Sequence, residues 1–192
     1  MENRRSYADV LDNWAQFCSK NNLTLEISRK SETSSGGALQ YLYFEAINDS
    51  KTITILQSFF QADSWLEFVE RPHKLNFLFE SRSIKDIQLS IWEKDFFERL
   101  FKRNKIISGN LEFDSTFSGS CNDMNFMNEL FEDIEIQDSL LTNRLLLLNL
   151  TTKRDSLRIS LKNMQEKYYT TDNLVQHYDI FSRIVDRVLN LI

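Results

Sequence analysis

The sequence predicts an α+β fold, with a largely antiparallel sheet, amphipathic helices packed on it and a long C-terminal helix. Three observations carry this. Apolar residues recur at helical spacing near 6–20, 93–105, 123–131 and 171–192. Between those stretches the hydrophobic period falls to two, the spacing of a strand with one buried face. The polar breaks between the alternating runs are short, which favours antiparallel neighbours.

The first helix is expected over 6–20. Val10, Leu11, Trp14, Phe17 and Cys18 share a stripe, Ser6 offers an N-cap, and Asn21-Asn22 ends it. Leu23, Leu25 and Ile27 then alternate with Thr24, Glu26 and Ser28, and a polar loop covers Ser31 to Gly37. Residues 38–47 are apolar on both faces, with Leu42, Phe44 and Ala46 against Leu39, Tyr41 and Tyr43, as a central strand requires. Asn48-Asp49-Ser50 is a turn, after which Ile53, Ile55 and Phe59 share a face. Residues 65–69 and 75–80 read as a hairpin around Glu70 to Lys74, and Ile87, Leu89 and Ile91 mark another strand.

From Glu93 the spacing is helical again. Phe96, Phe97, Leu100 and Phe101 make the stripe, and Lys102, Arg103 and Lys105 stand at the dipole's negative end. Residues 110–117 read as a strand that buries Leu111, Phe113 and Phe117. Asn122 or Asp123 caps a helix carrying Phe126, Met127, Leu130 and Phe131. Leu140–Leu150 and Leu157–Leu161 read as a strand pair around Thr151 to Ser156. Thr171-Asp172 caps the last helix, whose stripe is Leu174, Tyr178, Phe181, Val185, Val188 and Ile192.

A chain of 192 residues builds one large domain, 1–192. The return of a helix followed by strands near residue 93 also permits two lobes, 1–92 and 93–192. Four glycines and one proline leave little material for glycine-built ligand loops. Cys18 and Cys121 form no disulfide framework and point to reduced thiols in the cytoplasm. No charged start followed by an apolar core marks a signal peptide, and the longest apolar run, Leu145 to Leu148, is too short to cross a membrane. Residues 1–105 balance 15 basic against 15 acidic side chains, whereas 106–192 hold 8 against 13. An acidic second half disfavours nucleic acid.

The run Leu111-Glu112-Phe113-Asp114-Ser115-Thr116-Phe117, continued to Cys121-Asn122-Asp123, resembles a motif in a family of uncharacterised bacterial proteins, a domain of unknown function. The motif is an acidic-Phe-acidic strand, a further Phe, and an Asn-Asp before a helix. The segments 126–131, 145–161 and 171–192 are similar to that family in order and spacing. The resemblance covers the second half of the chain only. It implies a fold for that half and no catalytic residue, cofactor or metal ligand. Many members look membrane-anchored, so it also implies a peripheral partner of a membrane assembly, although this chain lacks their upstream apolar segments.

The candidates for chemistry each meet a plainer reading. Glu112 and Asp114, two apart on a strand, would project to one face and suit acid/base work. The same alternation also describes a solvated face. His73 and His177 lack ligand spacing with Cys18 and Cys121, so a zinc site has no support. Ser118-Gly119-Ser120-Cys121 lacks a nucleophile elbow, and Ser35-Gly36-Gly37 lacks the lysine of a phosphate loop. Arg99, Lys102, Arg103 and Lys105 beside Phe97 and Phe101 describe a solvated helix end better than a nucleic-acid surface. Glu129, Glu132, Asp133, Glu135 and Asp138 form an acidic face that a basic partner could read.

The aromatic strands are the stronger signal. Tyr41, Tyr43, Trp65, Phe68, Phe77 and Phe79 crowd the middle of the chain. If helices cover one sheet face only, an aromatic surface remains for a protein partner or a second copy. The reading is therefore a non-catalytic interaction or regulatory module with no assigned catalytic, cofactor or metal residues and no membrane insertion. The alternative is a small-molecule-binding domain or minor enzyme with a cleft between lobes.

Overall fold

The computed structural model describes residues 5–34, 37–48, 53–61, 68–83, 85–95, 106, 108–143, 146–153 and 155–192. Its fold is α+β. The paired strands β1 (Arg5–Ser6), β2 (Thr24–Ser34), β3 (Gly37–Asn48), β4 (Ile53–Gln61), β5 (Phe68–Pro72), β6 (Leu75–Arg82), β7 (Gln88–Glu93), β8 (Phe117–Cys121), β9 (Leu146–Lys153) and β10 (Ser156–Asn163) carry the sheet. The helices are α1 (Tyr7–Asn21), α2 (Leu111–Thr116), α3 (Met124–Phe131), α4 (Ile134–Thr142) and α5 (Thr171–Leu191). No helix among the described residues is long and apolar enough to cross a membrane. The residues form two compact units, 1–77 with 164–178, and 78–163 with 179–192.

In the first unit β4 pairs with β3, β5 and β6, β3 pairs with β2, and β1 lies against β5. The hairpin expected over 65–80 is thus absent, because β4 lies between β5 and β6. A turn-like sequence joins the two strands without making them partners. Leu42, Phe44 and Ala46 of β3 and Ile53, Ile55 and Phe59 of β4 point into the core. Helix α1 begins where Ser6 accepts a hydrogen bond from Ala8 N and ends on left-handed Asn22, whose N–H donates to Cys18 O. Trp14 and Phe17, both buried, pack edge to face. Trp14 meets Phe44, and Phe17 meets Tyr178.

In the second unit the order is β6-β10-β9-β7-β8. The β9–β10 hairpin follows the sequence reading, but its turn tightens to Lys153 and Ser156, with Asp155 at φ 65°. Register aligns Gly119 with Ile91 and Ile91 with Leu148. A Cβ on Gly119 would stand 2.5 Å from Ile91 Cδ1, so a larger residue here would require the Ile91 side chain to shift.

Several segments differ from expectation. Positions 31–34 and Gly37, expected in a polar loop, belong to strands β2 and β3. Residues 111–116 are helical, not extended. Asn110 accepts from Glu112 N and Phe113 N, a cap that starts a turn of helix. Phe113 and Phe117, both buried, are four apart and satisfy either period, while Leu111 is 88% exposed. Likewise 140–142 end helix α4 and do not begin a strand. That helix starts at Asp133, whose carboxylate accepts from Glu135 N and Ile136 N. The stretch Ser118 to Cys121 lies in strand β8, and Glu93, where helical spacing is expected to begin, ends β7. The helix expected over 96–105 lies outside the described residues.

Helix α5 carries the expected stripe, with Leu174, Tyr178, Phe181, Ile184, Val185 and Val188 buried. Its first turn is capped one residue earlier than expected, by Thr170 Oγ1 accepting from Asn173 N. Thr171 bonds Asn13 instead. Phe181 is fully buried. Phe181→Ala is expected to cost about 3–5 kcal/mol in denaturant unfolding, through lost burial and the cavity left behind; a cost under about 1 kcal/mol would contradict the packing.

Candidate functional site

The carboxylates singled out by the sequence do not form a pair. On α2, residues two apart point in well-separated directions. Glu112 is exposed. Asp114 turns back to accept from Ser108 N at 2.9 Å and Ser108 Oγ at 2.7 Å, which fixes the loop before the helix. Its role is a local clamp.

The nucleophile candidates are similarly absorbed by structure. Ser118 is buried within β8. Cys121 Sγ donates to Asp123 O, and burial holds its thiol above the ordinary range. Burial pushes Cys18 to about 11. Neither is the accessible thiolate that reactivity requires. Asn122 and Asp123 divide the expected capping task. Asp123 caps α3 through Phe126 N, while Asn122 accepts from Gln88 N.

His177 is buried, with Nδ1 2.7 Å from Asn173 O, its ring parallel to Phe77 and edge-on to Tyr169. Burial, aided by the Lys167 charge and opposed by the Asn173 bond, lowers its pKa. His73 lies between β5 and β6 with its N–H on Ser58 O and its ring 5.4 Å from Tyr41. Among the described residues no group of three His, Cys, Asp or Glu side chains is placed to hold a metal. Arg99, Lys102, Arg103, Lys105, Phe97, Phe101, Trp65 and Ser35-Gly36 lie outside the described residues, and Gly37 opens β3.

The acidic run meets a basic partner inside the chain. Arg183 of α5 binds Asp133 at 3.0 Å and also Glu135. Arg187 donates to Glu129 O and stands 3.9 Å from Glu132. Burial would raise the Asp133 carboxyl, but its bonds to Arg183 and to the α4 amides outweigh that and lower it.

What remains is the outer face of β2–β4. Register places Lys30, Tyr41 and Phe60 in one row, Ser28, Tyr43 and Ser58 in the next, and Glu26, Glu45 and Leu56 in the third. Tyr41, Tyr43, Phe60 and Leu56 are each half-buried on this face, opposite the core residues Leu42, Phe44 and Phe59. Tyr41 meets Tyr43 at 6.4 Å and Phe60 at 6.0 Å, both edge to face. Lys30 Nζ sits 4.9 Å above Tyr43. Glu26 and Glu45 are direct cross-strand neighbours, a like-charge pairing that destabilises a sheet. The sequence named Tyr41 and Tyr43 for this surface. It missed Phe60, Lys30, Glu26 and Glu45, whose membership depends on register. Trp65 and the side chain of Phe68 are outside the described residues, while Phe77 and Phe79 are core.

No protein-family model, curated protein or solved structure matches this chain.

Two outcomes follow. Asp114→Ala is expected to cost about 1–2 kcal/mol by stranding the Ser108 donors, and Glu112→Ala to stay within about 0.5 kcal/mol, in denaturant melts. The reverse order would restore the strand reading. For His177 the folded pKa lies below the unfolded one, so the unfolded state binds the extra proton. Stability is therefore full above the unfolded value of about 6.5 and falls as pH drops below it. Between pH 7 and 5, His177→Gln is expected to lose less stability than wild type; equal slopes would place the acid sensitivity elsewhere.

Proposed function

We propose that the chain is a non-catalytic interaction module that pairs with a second copy of itself through the outer face of β2–β4. The observation behind this reading is the distribution of charge on an aromatic face. Lys30 stands at one end of the Tyr41–Tyr43–Phe60 patch, and the opposed Glu26 and Glu45 stand at the other. A two-fold axis through the patch sets the Lys30 end of one copy over the Glu26–Glu45 end of its partner. That arrangement relieves the cross-strand repulsion while the rings lose their remaining water. The reading includes a cytoplasmic setting, with Cys18 and Cys121 as thiols, and a protein partner in preference to nucleic acid.

Light scattering tests it. At micromolar concentration the full chain is expected to have twice its monomer mass, with an interface of about 1,200–2,000 Å². Lys30→Glu is expected to weaken dimerisation at least tenfold, and Lys30→Glu with Glu26→Lys and Glu45→Lys to recover it by exchanging the charges. A strict monomer, or a dimer indifferent to Lys30→Glu, would refute self-pairing through this face.

A further inference from the structure

The first unit holds a cleft of about 90 Å³ lined by Arg5, Asp9, Trp14, Phe59, Tyr168 and Tyr169, among others. Its floor is aromatic, with Trp14 and Phe59 each 1% exposed and Tyr169 4% exposed. Tyr168 stacks on Phe59 and donates its hydroxyl to Val69 O at 2.8 Å. The mouth is charged. Arg5 and Asp9 are exposed, and the Arg5 guanidinium lies 5.8 Å from the Tyr168 ring centre. The polar atoms of neighbouring Asn13 are already engaged by Asp9 O and Thr171 N.

Tyr169 is the exception. Its hydroxyl is buried and has no hydrogen-bond partner among the described residues. A buried hydroxyl in that state has given up its hydration for nothing, unless something else occupies the space beside it. The cleft is small and partly enclosed, so the occupant is small.

We propose that this cleft binds a small zwitterion, an ammonium and a carboxylate carried on one short carbon chain. The carboxylate faces Arg5 and accepts from the Tyr169 hydroxyl. The ammonium faces Asp9 and the Trp14 and Phe59 rings, since Arg5 already stands over Tyr168 and Lys167 over Tyr169. Burial raises the Tyr169 phenol, which keeps it a donor at neutral pH. A simple anion would answer Arg5 and leave Asp9 beside it. A simple cation would suit Asp9 and the rings but leave Arg5 opposed and the hydroxyl without an acceptor. An apolar guest would leave all three polar groups unanswered. The same chemistry comes from two sources, a free small amino acid or its N-methylated betaine. This site is independent of the outer sheet face.

The test titrates the full chain with alanine and with glycine betaine, using acetate and tetramethylammonium as single-charge controls. The readouts are the Trp14 indole resonance and the melting temperature. Saturable binding of one zwitterion, at least tenfold tighter than either control, is expected. Alanine or betaine as the tighter ligand identifies a primary or a methylated ammonium. Tyr169→Phe is expected to weaken binding at least tenfold while the melting temperature without ligand holds or rises. Asp9→Asn, at the exposed mouth, is expected to weaken it at least threefold without unfolding the chain. Binding of neither zwitterion, equal binding of a control, or unchanged affinity in Tyr169→Phe would overturn the proposal and leave water as the occupant.

Discussion

The need to hide one face of helix α5 governs much of this structure. Twenty-one residues long, it presents an apolar stripe too wide to leave in water. Leu174 and Tyr178 are buried in the first unit, and Phe181, Ile184, Val185 and Val188 in the second. Its polar positions are used as well. Thr171 bonds Asn13 and stands over Gln16 of α1, Tyr178 accepts from Asn48 at the end of β3, and Arg183 holds the cap residue of α4. Each of these links joins segments more than forty residues apart, so the helix fixes elements that local sequence does not bring together.

Both of the surfaces proposed to bind depend on that arrangement. The cleft at Tyr169 is formed between α1 and the segment that leads into α5, and the Asn13–Thr171 bonds fix that junction. The outer face of β2–β4 exists because the inner face is filled. Phe44 packs on Trp14 and Phe59, which commits Leu42, Phe44 and Ala46 inward and turns Tyr41 and Tyr43 outward. Side-chain alternation then leaves no choice about which residues form the outer face.

The sequence was legible where one local pattern had one solution. Helix α1 announced itself through Ser6 and the Val10–Trp14–Phe17 stripe, and the last helix and the β9–β10 hairpin were equally plain. It misled at 111–117, where Leu111, Phe113 and Phe117 fit a strand while Phe113 and Phe117 also fit a helix. The deciding signal was Asn110, a cap residue followed by Glu112 and Asp114, acids that suit a first turn. Helix α4 had the same kind of signal in Asp133, with Ile136 and Leu140 four apart, and it was hidden beneath the leucine run that follows. The false hairpin over 65–80 has a different cause. Strand pairing is a long-range choice, and nothing in residues 68–80 says that β4 will stand between them. For the same reason the sequence pointed to an aromatic sheet face but not to its full membership, since Lys30, Glu45 and Phe60 become neighbours only through register.

Native-state hydrogen exchange across α5 tests the central claim most directly. If burial of its stripe holds the fold, the amides of Leu174 to Tyr178 and of Phe181 to Val188 will exchange only through global unfolding, with the same free energy as those of β4 and β9. Exchange of α5 at a markedly lower free energy, with those strands still protected, would show that the helix is an accessory to a sheet that is stable without it.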